Sequence, residues 1–173
     1  MFAYENPPGT RQFSGSQDAL GIVLPGLKRL DYRGDFWPEK IHSVRDEKIL
    51  RWLERNLSLI TLGPRAPKFE VCDQTRVTPA RARRLAAAAE ACWTAISEMD
   101  LPEFGRAMRD SFDAQVAIFP SMVDRKIRAT IKQYAPQALG WKLAGAGGSG
   151  YLVLVSQAKI PCASRIKIHR ASL

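Results

Sequence analysis

Gly140-Trp141-Lys142-Leu143-Ala144-Gly145-Ala146-Gly147-Gly148-Ser149-Gly150-Tyr151-Leu152-Val153-Leu154-Val155 sets four glycines within six residues directly before an apolar, strand-like run. A backbone without Cβ atoms adopts left-handed angles and lets other groups approach closely. Successive amides in such a loop can form a concave nest for anionic oxygens. The plainer alternative is a hairpin turn between two strands, and both readings place a strand on either side of the loop, at residues 138–144 and 151–155.

The alternation in Arg165-Ile166-Lys167-Ile168-His169 marks a further strand with one wet face. Upstream, residues 27–33 and 38–44 flank the turn Gly34-Asp35 and predict a β-hairpin. Asp46 opens a helical stretch in which Ile49, Leu50, Leu53 and Leu57 recur at helical spacing. Residues 57–62 then read as a strand ended by Gly63-Pro64. From Arg65 to Arg76 the sequence is polar and irregular, a loop.

Thr78-Pro79 supplies an N-cap followed by proline at the first helical position. A long helix follows, with Leu85, Ala89, Trp93, Ile96 and Met99 as its expected buried stripe. Asp100-Leu101-Pro102 starts another, carrying Phe104, Met108, Phe112, Gln115 and Phe119 on one face; the aromatic stripe is core by ordinary burial preference, and Gln115 is the member that could face a site. Pro120-Ser121 is expected to end it and cap a third helix containing Val123, Ile127, Ile131 and Tyr134. Three antiparallel helices with short connections are expected to pack together. An antiparallel sheet covered on one side by these helices is an α+β architecture that buries both apolar surfaces.

At 173 residues with 46% hydrophobic content the chain suits one compact unit. Its three cysteines, Cys72, Cys92 and Cys162, are odd in number and unevenly spaced. They show neither a disulfide framework nor a zinc pattern, and reduced thiols in the cytoplasm are the simplest account. No apolar run is long enough to cross a bilayer, and the first residues carry no signal-peptide pattern, so no membrane partner is expected.

The net charge of +9 raises nucleic acid as a partner. Yet the densest basic group, Arg81, Arg83 and Arg84, begins a helix with no aromatic residues interleaved for base stacking, and reads as a solvated face. His42 and His169 stand apart from any serine or cysteine at readable spacing, so no nucleophilic triad is assigned.

The glycine-rich stretch resembles the C-terminal motif Lys-x-x-Gly-Ala-Gly-Gly-Gly-Gly of the GHMP kinases, the superfamily of galactokinase, homoserine kinase, mevalonate kinase and phosphomevalonate kinase. Lys142, Gly145, Ala146, Gly147, Gly148 and Gly150 match it, and Ser149 replaces one glycine. Serine puts in question any role that needs positive φ at that position. A second segment, Gly15-Ser16-Gln17-Asp18 followed by Pro25-Gly26-Leu27-Lys28, is similar to the Gly-x-Gln-Asp segment and Pro-Gly-x-Lys turn of bacterial L-fucose kinases and related heptose-phosphate kinases. The two matches lie in the family's order, and the resemblance covers nearly all of residues 12–170.

The resemblance implies a ferredoxin-like C-terminal kinase domain over residues 21–173, preceded by residues 1–20 as a remnant of the N-terminal lobe. It implies ATP and Mg2+ as the phosphoryl donor system and a sugar, L-fucose-like or a heptose phosphate, as acceptor. Asp18 would be the catalytic base, Gln17 would bond a sugar hydroxyl, and Lys142 with residues 145–150 would line the phosphate side of the cleft or brace the nucleotide loop. Taken alone, Asp18 also reads as a helix-starting residue and Gln17 as a solvent-exposed amide.

The family's nucleotide-phosphate motif, Pro-x-x-x-Gly-Leu-Gly-Ser-Ser, does not occur in this sequence. A helix N-terminus aimed at the phosphates is a major source of anion binding in such sites. The expectation is therefore a kinase part that is inactive alone and works with a separate N-terminal polypeptide, with no metal ligand assigned here and a homodimer left open. The alternative is a noncatalytic sugar- or phosphate-binding or regulatory protein on the same scaffold.

Overall fold

The computed structural model describes residues 4, 6–9, 15–66, 69–72 and 74–171. It divides into two compact units, Met1–Leu50 with Lys167–Leu173, and Arg51–Ile166. Part of the segment 1–20 therefore lies outside the described residues.

In the first unit, helix α1 (Ser16–Val23) precedes an antiparallel hairpin of β1 (Leu27–Asp31) and β2 (Lys40–Val44), with Leu27 opposite Val44 and Asp31 opposite Lys40. The hairpin expected from the sequence forms. Gly26, at φ 82°, makes the turn into β1, where a Cβ would collide with the Val44 carbonyl. Ser16 is fully buried; its hydroxyl lies 3.0 Å from the Tyr32 hydroxyl and donates to the Phe36 carbonyl, which ties α1 to the hairpin. The Gly26 amide donates to the His169 carbonyl at 2.8 Å, and Arg170 pairs with Glu47 at 2.8 Å.

Helix α2 (Glu47–Asn56) runs across the division between the units, and its buried residues are Leu50, Trp52, Leu53 and Asn56. Asp46 starts it by accepting from the Lys48 amide at 2.7 Å.

In the second unit, β3 (Leu57–Gly63), β4 (Gly140–Leu143), β5 (Gly150–Val155) and β6 (Ser164–Arg165) form a wholly antiparallel sheet in the order β4-β5-β3-β6. This is the strand order of a split βαβ, ferredoxin-like sheet, with the second crossover, residues 156–163, lacking a helix. Leu143, Leu152 and Ile60 stand directly opposite one another across three strands. With Leu62, Leu154, Phe112, Met122, Val123, Ile127 and Ile160 they form one apolar cluster. The last strand is shorter than its alternation predicts: only Ser164 and Arg165 pair with β3, and the backbone beyond bonds elsewhere, through His169.

The crossover from β3 to β4 holds α3 (Pro79–Glu98), α4 (Leu101–Ile118), a short 3-10 turn (Pro120–Met122) and α5 (Arg125–Tyr134). Thr78 caps α3, its hydroxyl accepting from the Arg81 amide at 3.2 Å, with Pro79 first in the helix. Thr78→Ala is expected to lower stability by about 1 kcal/mol, readable as a shifted denaturant midpoint at unchanged slope.

Of the expected stripe of α3, Ile96 is buried and Leu85, Trp93 and Met99 are half-buried, and only Ala89 departs from it. Ala88, Ala95 and Ile96 are buried while Ala89 is exposed, because small residues meet α4 where the two helices pack. Met99, at φ 56°, ends α3, and Asp100 caps α4 by accepting from the Glu103 amide at 3.0 Å. The expected bundle of three helices becomes a pair and a single helix. Helices α3 and α4 pack together and α4 rests on β4, whereas α5 enters the apolar cluster of the sheet through Ile127 and Ile131. The cap of α5 is Asp124, not Pro120-Ser121, because the 3-10 turn separates the two helices.

Gly105 of α4 and Gly140 of β4 touch backbone to backbone. A Cβ at Gly105 would lie 2.6 Å from Leu139 Cβ, and one at Gly140 would strike the Gly105 carbonyl.

Candidate functional site

The glycine stretch is the turn between β4 and β5, closed by the Ala144 amide donating to the Tyr151 carbonyl at 3.0 Å. Gly145, Gly147, Gly148 and Gly150 have φ of 64°, 73°, 71° and 82°, angles that favour glycine. Two of them are also places where nothing larger fits. A Cβ at Gly147 would lie 2.9 Å from Met122 Cβ, and one at Gly148 would enter the Phe69 ring. The Gly148 amide donates to the Met122 carbonyl at 2.8 Å. Ser149 is absent from the left-handed residues, so the serine that departs from the family pattern is sterically at ease. It is 5% exposed, and its hydroxyl is the buried side-chain polar atom without a hydrogen-bond partner among the described residues.

Beside the loop opens a cleft of about 240 Å3 whose wall includes Pro64, Arg65, Asp124, Lys126, Gly148 and Ser149. Arg65 follows β3, donates its Nε to the Gly147 carbonyl at 3.0 Å and carries its guanidinium 5.9 Å from the centre of the Phe69 ring. Asp124 caps α5, its carboxylate accepting from the Ile127 amide at 2.7 Å. Among the described residues, its wall holds the N-terminal end of a helix, two cationic side chains and one carboxylate. That surplus of positive charge, with the partial positive charge of the helix end, favours an anion.

Lys142 points elsewhere. Its ammonium donates to Gln115 Oε1 on α4, and Cys92 of α3 is close enough to act on it electrostatically. Burial pushes the Lys142 pKa down to about 8, with Cys92 acting in the opposite direction. Burial likewise pushes the Cys92 thiol up to about 11. Lys142 is not among the residues of the cleft wall.

Asp18 and Gln17 belong to the first unit and are exposed. Gly15 occupies the cap position of α1 with no side-chain bond, and Asp18 lies in the first turn, where a carboxylate suits the helix dipole. The Gln17 side chain folds back over Gly15. Among the described residues no group of three or more His, Cys, Asp or Glu is placed to hold a metal ion. No described helix is long and apolar enough to cross a membrane.

Arg65, Asp124 and Lys126 escaped the sequence reading. Arg65 sits in what reads as an irregular loop, yet that loop is tied down: Ser121 donates to the Val71 carbonyl at 2.9 Å and the Arg76 amide to the Ile118 carbonyl at 2.8 Å. The available signal was Gly63-Pro64-Arg65 directly after a strand.

No protein-family model matches this chain, and no curated protein matches it. Among solved structures it is similar to a crystal structure of mevalonate kinase, with a TM-score of 0.42 and 16% identity over 68% of this chain and 37% of that one. The chain spans little more than a third of the length of that enzyme.

Proposed function

We propose that the chain supplies the C-terminal portion of a GHMP-type kinase, which transfers the γ-phosphoryl group of ATP to a hydroxyl of an L-fucose-like sugar or a heptose phosphate. The observation that carries this reading is the glycine hairpin. Of its left-handed glycines, Gly147 lies against Met122 and Gly148 against Phe69, Gly148 borders a net-cationic cleft, and the sequence around it matches the family's motif.

Phosphoryl transfer needs an acceptor oxygen in line with the γ-phosphoryl, a group to take its proton, and fixed positive charge on the phosphate oxygens. Arg65, Lys126 and the start of α5 supply the charge in this reading. Asp18 takes the hydroxyl proton late and positions the oxygen, since a carboxylate is a weak base for an alcohol. Gln17 bonds a second hydroxyl of the sugar, and Lys142 braces β4 against α4 through Gln115. The nucleotide-phosphate loop comes from a polypeptide outside these 173 residues.

A noncatalytic sugar- or phosphate-binding protein is the second reading, favoured by one observation: the motif lysine is engaged by Gln115 rather than offered to the cleft. Incubation of the 173-residue chain with ATP, Mg2+ and L-fucose or a heptose phosphate, with γ-phosphate labelled, tests the division of labour. The expected result is no labelled sugar above background, and turnover by the chain alone that disappears on Asp18→Asn would refute the need for a second polypeptide.

A further inference from the structure

We propose that the cavity formed by the loop between β1 and β2 binds an organic cation of the quaternary ammonium class, held against the Trp37 and Phe36 rings and by the Asp35 carboxylate. Such binding is independent of phosphoryl transfer and uses residues of the first unit alone.

The cavity measures about 730 Å3, within the range of small-molecule sites. Among the described residues its wall is Arg33, Asp35, Phe36, Trp37, Pro38 and Glu39. Phe36 and Trp37 are 53% and 51% exposed, so two large rings, consecutive in sequence, stand in a loop that water reaches. That loop is pinned at both ends. The Glu39 amide donates to the Asp31 carbonyl at 2.7 Å, and the fully buried Ser16 hydroxyl donates to the Phe36 carbonyl. A backbone held in this way carries the rings before any ligand arrives, which lowers the ordering cost of binding.

The chemistry of the wall selects a cation. An aromatic ring carries a negative face, and tryptophan attracts cations best of the aromatic residues. The charges of the wall leave one carboxylate over: Arg33 Nε pairs with Glu39 at 2.8 Å, whereas Asp35 enters no ion pair among the described residues. Donors for an anion are largely committed, since Arg33 is held by Glu39, the Glu39 amide is spent on Asp31, and Pro38 has no amide hydrogen. A metal ion would lack ligands, because no group of three or more His, Cys, Asp or Glu among the described residues is placed to hold one. A quaternary ammonium asks for neither donors nor a ligand shell. Its methyl groups pack on the rings, and Asp35 meets its charge.

The test is a titration of the full chain with choline chloride at constant ionic strength, read by NMR at the backbone amides of Asp35, Phe36 and Glu39. Saturable shifts at these residues are expected, and dimethylbutanol, the neutral carbon match of choline, should cause none at the same concentration. Trp37→Ala should weaken binding about fivefold or more and Asp35→Asn about threefold or more, since the first removes the ring and the second the charge. Both positions are exposed, so the unfolding midpoints should stay close to that of the native chain. Absence of saturable shifts, equal binding of the neutral alcohol, or unaltered affinity in Trp37→Ala would overturn the proposal. Saturation by L-fucose at a lower concentration than by choline would also overturn it and assign the wall to a sugar. Comparison of choline with trimethyllysine amide separates the sources: tighter binding of the first assigns the site to a small molecule or headgroup, and of the second to a methylated side chain. None of these readouts depends on ATP or turnover, so failure of the kinase reading and failure of this site are read separately.

Discussion

Replacing Gly140 by alanine should destabilise the second unit by about 3 kcal/mol or prevent its folding. The methyl group would collide with the Gly105 carbonyl, and Gly105 itself has Leu139 Cβ within 2.6 Å of its own missing Cβ. Both obstacles are backbone or Cβ atoms, which cannot swing aside as the end of a long side chain can. Relief requires α4 to lift away from β4, and α4 also contributes Phe112 to the apolar cluster of the sheet. By contrast, alanine at Gly63 meets no atom within 4 Å, so its cost should be limited to the strain of φ 96°. Chemical denaturation of the two variants side by side checks the contrast, and equal losses would show that the helix-to-strand contact is not the cause.

The second large effect is a pH dependence centred on Lys142. Its folded pKa is lowered to about 8 from 10.5 by burial. Between those values the unfolded chain holds a proton that the folded chain has released, so this residue's contribution to stability rises as pH climbs from about 8 to about 10.5. Below pH 8 both states are charged, and the full penalty of burying the ammonium, up to about 3 kcal/mol, remains in place. Lys142→Met should therefore stabilise the protein at pH 7, offset by whatever the bond to Gln115 contributes. Its advantage over wild type should shrink as pH rises through the window. Cys92, with its pKa raised to about 11 by burial, works in the opposite direction above its ordinary 9.0, and because Lys142 holds the thiol's pKa down, the comparison is read below pH 9, where the thiol stays protonated in both proteins. A difference independent of pH would mean that Lys142 is solvated.

The sequence reveals this architecture where one signal dominates. Thr78-Pro79 announces a cap and a first helical position together, and the cap forms as read. Residues 151–155 follow a glycine turn with no competing helical period, and they become a central strand. The misreadings have a common cause. Apolar spacing within α3 is satisfied by more than one face of an alanine-rich helix, and only the approach of α4 selects Ala88 and Ala95 over Ala89.

The candidate site is legible only in part for the same reason. Glycines at left-handed angles declare themselves by composition, whereas the residues that give the cleft its charge come from a loop after β3 and from the start of α5, far apart in sequence. Lys142 illustrates the limit in the other direction. It matches the motif by spacing, yet a strand sends neighbouring side chains to opposite faces, and its partner is Gln115, the member of the α4 stripe that the sequence marks as able to face a site.

The most direct test of the account is transfer of label from γ-labelled ATP to L-fucose or a heptose phosphate by this chain combined with the N-terminal half of a bacterial L-fucose kinase that carries the glycine-serine phosphate motif. The account predicts that the pair labels the sugar, that neither half does so alone, and that Asp18→Asn lowers the rate by about 100-fold or more. A pair that co-elutes yet transfers nothing, or transfer that survives Asp18→Asn undiminished, would contradict it.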